Sequence, residues 1–272
     1  MVVAFIGDIV GRPGRKIVGE FLPKIREEFN IDLVIANYEN ASHGFGLTEK
    51  NAKELFSYGI DVMSGGNHSF DKKEIFDMFD KYPLIRPINY PDSTYGKGVI
   101  ELEINGIRVA IINAMGSYAM PICDNPFLKV QACVDELEEK GIKHIILDFH
   151  AEATSEKYVM FHLLKNRVSA IFGTHTHIGT DDLMVANGCC YVSDVGLSGC
   201  RDQVIGVDKT SPISKFTKGV GDHFNIPKRC KKIFQLIIFE LEMSGRALWA
   251  KKLKIYEESN RVEETLAIIE EF

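Results

Sequence analysis

VVAFIGDIVGRPGRKIVGEFLPKIREEFNIDLVIA, residues 2–36, decides the fold. Val2–Ile6 is an unbroken apolar run, the mark of a strand buried on both faces. After a Gly-rich turn, Lys16–Phe29 spaces Ile17, Phe21 and Ile25 four apart, which predicts a helix. Asp32–Ala36 is a second strand. Thr48–Tyr58 predicts a second helix with Thr48 as its N-cap, and Asp61–Ser64 a short third strand. Strand, helix, strand, helix, strand in this order specifies a largely parallel sheet with helices against it.

Beyond this unit the pattern turns to hairpins. Val99–Ile104 and Ile107–Ile112 flank Asn105-Gly106, a pair suited to a type I′ turn. Val130–Lys140 and Glu152–Asn166 read as helices, each followed by a strand, His144–Phe149 and Val168–Phe172. Asn187-Gly188 and Ser244-Gly245 mark two further hairpins, the last between Ile233–Glu242 and Arg246–Ile255. Glu263–Phe272 reads as a closing amphipathic helix. Parallel pairs first and hairpins later predict an α/β fold of two sheets packed face to face with helices outside. Gly196–Lys232 fits no regular pattern and is expected to form a lid or cap. With no repeats or linkers, residues 1–272 are expected to form one domain.

The 272 residues are 45% apolar and 26% charged, which excludes disorder as the main state. A formal charge of −6 argues against broad, non-specific nucleic-acid binding, which needs Lys and Arg to neutralise phosphates. It leaves room for a small nucleotide in a pocket. None of the six cysteines forms a C-x-x-C pair, so each is expected to be a small buried hydrophobe. The first residues lack a basic flank and a signal-length apolar run, and no stretch approaches membrane-spanning length. A cytoplasmic protein with reduced thiols is the default expectation.

The chemistry collects at strand ends. Asp8 follows the first strand, Glu39 and Asn40 the second, Asn67 and His68 the third; His150 ends the strand from His144, and His175 and His177 follow Val168–Phe172. Ligands in α/β sheets bind beyond the carboxyl ends of parallel strands, so five strands deliver polar side chains to one rim. Each residue alone has a bland reading: Asp8 as a helix cap, Asn40 and Asn67 as turn formers. His43, His144, His162 and His223 are read as structural. The coincidence at strand ends favours a site. Three imidazoles, two carboxylates and amide oxygens form a mixed N/O set suited to manganese, iron or zinc. Seven candidate ligands exceed one closed zinc site and suit two metals ~3.5–4 Å apart that share a carboxylate.

Gly7-Asp8-Ile9-Val10-Gly11, Asn37-Tyr38-Glu39-Asn40, Gly65-Gly66-Asn67-His68, Asp148-Phe149-His150-Ala151-Glu152 and Gly173-Thr174-His175-Thr176-His177 resemble the motif series of the calcineurin-like metallophosphoesterases. Within that superfamily the chain is most similar to the YmdB-like bacterial phosphodiesterases, whose strings recur at 39–41, 150–157 and 194–196. The resemblance runs from Met1 to the last hairpin. It implies an α/β/β/α sandwich, a two-metal site and hydrolysis of phosphodiesters, including 2′,3′-cyclic nucleotides, by a hydroxide held between the metals. It further implies Glu39 as the bridge, Asp8, Asn40 and His177 on the first metal, and Asn67, His150 and His175 on the second. His68 is the candidate to neutralise or protonate the leaving oxygen, with Asp71 as its candidate orienter. Val10 stands where the wider superfamily carries a first-motif histidine, and Glu39 where it carries Asp. The resulting oxygen-rich first site favours iron or manganese over zinc. Leu197-Ser198-Gly199-Cys200 replaces a Met-Thr-Gly-Pro-like string of the relatives.

Other readings are weaker. Gly7–Arg15 lacks the Gly-Lys-Ser/Thr ending of a P-loop, and no Gly-x-Ser-x-Gly elbow is present. Arg12 and Arg15 are either phosphate contacts or solvated charges at a helix start. Lys228-Arg229-Cys230-Lys231-Lys232 is read as a solvated flank, with RNA contact as the minor option. The competing functions are a phosphomonoesterase on the same site and a non-catalytic, RNA-associated regulatory protein that keeps the metals. A homo-oligomer is expected on base rates and family likeness.

Overall fold

The computed structural model describes residues 1–259 and 261–271. Its first sheet contains strands β1 (Val2–Ile9), β2 (Leu33–Asn37), β3 (Val62–Ser64), β10 (Leu197–Cys200), β11 (Lys232–Leu241), β12 (Ala247–Tyr256) and β13 (Arg261–Leu266), in the order β13-β12-β11-β10-β1-β2-β3. The second contains β4 (Val99–Ile104), β5 (Ile107–Met115), β6 (His144–His150), β7 (Ala170–Thr174), β8 (Met184–Ala186), β9 (Cys189–Val192) and β14 (Ile268–Glu270), in the order β14-β8-β9-β7-β6-β5-β4. β1, β2 and β3 are parallel neighbours, as are β5, β6, β7 and β9. The two parallel blocks carry the candidate site.

Three apolar clusters define four layers. Residues of β1 alternate: Val3 and Phe5 face the second sheet, while Ala4 and Ile6 face helix α1 (Gly11–Glu28). Between the sheets Phe172 lies 4.8 Å from Phe5 and 5.1 Å from Phe239, ring to ring, pairs worth ~0.5–1.5 kcal/mol beyond their area. The outer face of the second sheet packs Ile112, Ile145 and Leu147 against α4 (Pro126–Glu139) and α5 (Thr154–Leu164). Burial of both sheet faces explains the unbroken apolar runs in β1, β2 and β6.

Asn105-Gly106 and Asn187-Gly188 close hairpins with positive φ at both turn residues, 51° and 80°, and 51° and 77°, as type I′ requires. Thr48 occupies the N-cap position of α2 (Glu49–Ser57) without a side-chain cap bond; its own N–H donates instead to Ser42 Oγ at 2.9 Å. α1 begins at Gly11, ahead of the expected start at Lys16.

Three expectations are corrected, and one element is added. Residues 196–232 are not irregular throughout: Leu197–Cys200 is a central strand beside β1, and Thr210–Lys218 forms helix α6. Glu263–Phe272 is not a helix but part of β13 and β14, with Phe272 outside the described residues. The chain crosses from one sheet to the other at Ala267, where ladder bonds to β12 and β8 outweigh a weak helical pattern. Four residues, Ile75–Met78, form the short helix α3, which the pattern did not single out. Cys200 and Cys230 form a disulfide, so these two cysteines are not reduced hydrophobes; Cys123 is free but only half-buried, while Cys133, Cys189 and Cys190 are free and buried as expected. No helix among the described residues is long and apolar enough to cross a membrane.

Candidate metal centre

Carboxyl ends of β1, β2 and β3 from one sheet meet those of β6 and β7 from the other. Asp8 lies inside β1, one residue before its end; Glu39 and Asn40 follow β2; Asn67 and His68 follow β3; His150 ends β6; His175 and His177 follow β7. Asn37 and Asp148 join the sheets beneath the site, with Asn37 Nδ2 donating to Asp148 Oδ2 at 2.9 Å.

Two ligand groups share one carboxylate. Glu39, His150 and His175 bring one donor atom each within 4.8 Å of the others, and Asp8, Glu39 and His177 do the same. The two asparagines complete the ring: Asn67 Oδ1 lies 3.0 Å from His150 Nε2, and Asn40 Oδ1 lies 3.0 Å from His177 Nε2. Asn40 Nδ2 donates to Gly44 O at 2.9 Å, which turns its carbonyl oxygen inward. Gly66 gives the room: a Cβ there would overlap Glu39 Oε2 and the His150 ring.

The outer atom of each imidazole is tied down, and this fixes which nitrogen faces inward. Thr174 Oγ1 donates to Asp148 Oδ1 at 2.7 Å, so it accepts from His150 Nδ1 at 2.9 Å and leaves Nε2 for the site. Ile205 O accepts from His177 Nδ1 at 2.7 Å, again leaving Nε2. His175 is reversed: Nε2 pairs with Glu152 at 3.1 Å, and Nδ1 faces His150 Nε2 at 3.1 Å. The turn that aims two imidazoles is strained, with φ of 98° at His175 and 65° at His177. Asp194 holds it. Its Oδ2 accepts from Thr176 N at 3.1 Å, Thr176 Oγ1 at 2.8 Å and the buried Lys157 Nζ at 3.0 Å.

The residues fit a cation pair. Asp8 Oδ1 is fully buried without a hydrogen-bond partner among the described residues, 3.9 Å from His150 Nδ1 and 3.8 Å from His177 Nε2. Such an acceptor costs ~1–3 kcal/mol unless satisfied. Burial pushes the Asp8 carboxyl up to about 6, against the pull of His177 and His150. Burial also opposes charge on Glu39, but the His150 imidazole outweighs it and holds the carboxyl at about 2. His150 is destabilised as a cation by burial, yet Glu39 and Asp8 raise it to about 9. Burial, with His150 beside it, pushes His175 down to about 3. Without metal, a proton on His150 relieves crowded acceptors; cations would do the same.

His68 sits at the rim, partly exposed. Its backbone N–H donates to Glu39 Oε2 at 3.0 Å and its Nδ1 meets Asp71 Oδ2 at 2.8 Å. The Phe45 ring stands edge-on, 4.9 Å away. His144 Nε2 bonds Glu242 O at 2.9 Å, away from the site, as expected of a structural histidine. Sequence reasoning assigned no role to Thr174, Asp148, Glu152, Asp194 or Lys157, although all of them lie in the motifs and strings quoted above. Ile205 contributes a backbone carbonyl, which carries no side-chain signal at all.

The family described as YmdB-like protein matches residues 4–253. A 2′,3′-cyclic-nucleotide 2′-phosphodiesterase of Bacillus subtilis (strain 168) is 39% identical over 257 residues, covering 94% of this chain and 97% of that protein. The crystal structure of a novel phosphatase from Mycoplasma pneumoniae superposes with a TM-score of 0.89 at 32% identity, covering 94% of this chain and 93% of that one. A 5′-nucleotidase precursor from Thermus thermophilus, at 14% identity and a TM-score of 0.55, shares the fold over 98% of this chain and 54% of its own. Matched almost end to end by the family and by a relative well above 30% identity, the chain belongs to the YmdB-like family.

Proposed function

We propose that this chain is a metal-dependent phosphodiesterase that opens 2′,3′-cyclic nucleotides, or the same ring at the end of short RNA, with two iron or manganese ions. The observation that carries the reading is the pair of ligand groups sharing Glu39. In this assignment Glu39 would serve both ions, Asp8, Asn40 and His177 would hold one, and Asn67, His150 and His175 would hold the other. When bound, the pair supplies Lewis-acid polarisation of the phosphoryl oxygens and lowers the pKa of water. The carboxylate and amide oxygens around the first position favour iron or manganese over zinc. The Bacillus subtilis relative, a 2′,3′-cyclic-nucleotide 2′-phosphodiesterase, supports the substrate class.

The chain's own groups do the rest. His68 is positioned by its N–H on Glu39, and Asp71 Oδ2 accepts from its Nδ1, which leaves Nε2 as the ring nitrogen that serves the leaving ribose oxygen. Asp194, Lys157 and Thr174 hold the ligand turns in place. The whole fold, residues 1–272, acts as one domain, with the segment around α6 as its cap. A nucleotide substrate is in keeping with a cytoplasmic enzyme. A homo-oligomer is not needed to build the site, since all seven ligand side chains come from one copy.

The test is hydrolysis of 2′,3′-cyclic AMP by Mn²⁺-loaded protein with products separated by chromatography. Metal-dependent release of a single AMP isomer, absent in Glu39→Ala, supports the reading. No turnover at full metal loading sinks it in favour of the binding-protein alternative, and turnover of monoesters alone favours the phosphomonoesterase.

A further inference from the structure

Two basic strings that the mechanism does not use, one near residue 12 and the other near residue 228, meet around a single cavity of about 730 Å³. Arg12 and Lys16 line it from the first turns of α1, His43 from the loop after Asn40, and Lys228 and Arg229 from the segment before β11. None of the described lining residues is acidic. Arg15 and Lys232 also line it but are paired, with Glu54 and Glu257. Arg12, Lys16, Lys228 and Arg229 have no ion-pair or hydrogen-bond partner among the described residues, and all four are exposed. Four unpartnered cations around one concavity, in a chain of net charge −6, are a local exception to its electrostatics.

The cavity adjoins the metal centre. Gly11 N donates to Asn40 O at 2.9 Å, which ties the start of α1 to a candidate ligand. Ile226 packs on Gly11 and Gly44, and Gly44 O accepts from the Asn40 side chain, so the basic segment lies one residue layer from the site. Its position is secured by the disulfide from Cys230 to Cys200 at the end of β10. His43 follows Asn40 by three residues, so their Cα atoms are at most about 11 Å apart. Phosphates along one strand of a stacked helix rise ~3.4 Å each, which makes this the reach of about three nucleotides.

We infer that this cavity is an extended substrate site for single-stranded RNA: it holds the phosphodiesters upstream of a terminal 2′,3′-cyclic phosphate seated at the metal centre. The inference rests on the phosphodiesterase reading and names its substrate class. A single mononucleotide has one phosphate and cannot occupy both places. A positively charged groove that tracks a backbone is the common element of sequence-independent single-strand binding. Four of the cavity's six cations are unpartnered, so neutralising two to four phosphates should give a log–log salt slope of about −1.4 to −2.8.

The experiment compares two substrates of the Mn²⁺-loaded full chain: 2′,3′-cyclic AMP and a pentaadenylate ending in a 2′,3′-cyclic phosphate. The variant is Arg12→Ala/Lys228→Ala/Arg229→Ala. The wild type is expected to prefer the pentamer by at least tenfold in kcat/KM, with a salt slope in the stated range. The variant should lose that preference through KM while its rate on 2′,3′-cyclic AMP stays within twofold. Equal effects on both substrates, or no preference in the wild type, overturn the inference. Binding is read separately by anisotropy of a 3′-hydroxyl pentaadenylate, with inorganic tripolyphosphate as competitor. Displacement only by a second oligonucleotide supports RNA, whereas tighter binding of tripolyphosphate reassigns the cavity to a free polyphosphate and overturns it. If neither substrate turns over, the phosphodiesterase reading fails, and the anisotropy of wild type against Arg229→Glu still decides the site.

Discussion

Replacing Thr174 with valine removes one oxygen and almost no volume, and it cuts the bridge from His150 Nδ1 through Thr174 Oγ1 to Asp148. Two buried partners are left short. Asp148 Oδ1 loses its donor while Oδ2 keeps Ser64 and Asn37, and the His150 N–H loses its acceptor. Each unsatisfied buried group costs ~1–3 kcal/mol, so metal-free stability should fall by about 2–6 kcal/mol. With its outer nitrogen free, the ring no longer has to present Nε2, and loss of such a support typically weakens metal affinity 10–100-fold. The assay is calorimetric Mn²⁺ titration well below the melting range, with urea denaturation of metal-free protein alongside. Thr174→Ser keeps the oxygen and should restore affinity even if the lost methyl costs some stability. A valine variant that is less stable yet binds Mn²⁺ within twofold of wild type would refute the argument that the bridge sets the imidazole.

His68→Ala should retain both metals and lose 10²–10⁴-fold in kcat, the usual worth of a positioned proton donor; unchanged turnover removes His68 from the role. Metal binding should be pH-linked. Below about 9 the metal-free His150 carries a proton that the ion must displace, and below about 6 Asp8 adds a second. Apparent Kd for Mn²⁺ should therefore rise about tenfold per unit as pH falls from 8 to 7, and about a hundredfold per unit below 6; a flat profile contradicts the site. Asp194→Asn leaves Lys157 charged, buried and poorly paired, which should cost about 3–5 kcal/mol in urea denaturation and loosen the 175–177 turn. Its refutation is a variant with wild-type stability and wild-type metal affinity.

Strand-end placement made the ligand set legible because period and burial leave marks on sequence: apolar runs stop where Glu39, Asn67 and His175 begin. The supporting shell left no such mark. Thr174 and Asp148 matter only because β6 and β7 are parallel neighbours that pair His150 with Thr174, and register is a three-dimensional fact. Leu197–Cys200 escaped because four small or mixed residues carry no periodicity; the gap between β1 and β11 makes them a strand. The C-terminal segment failed for the opposite reason. Its apolar spacing suits a weak helix, but Lys251 against Glu264 and the ladder from Val262 to Ile255 reward extension. Cys200 and Cys230 are thirty residues apart, a separation that says nothing about pairing until the fold closes.

The most direct measurement is the rate of 2′,3′-cyclic AMP hydrolysis as Mn²⁺ is added stepwise to metal-free protein, with bound metal counted in the same samples. Two ions joined by Glu39 should give almost no turnover up to one equivalent, a rise between one and two, and a plateau at two. Full turnover at one equivalent, or none with two ions bound, would contradict the account.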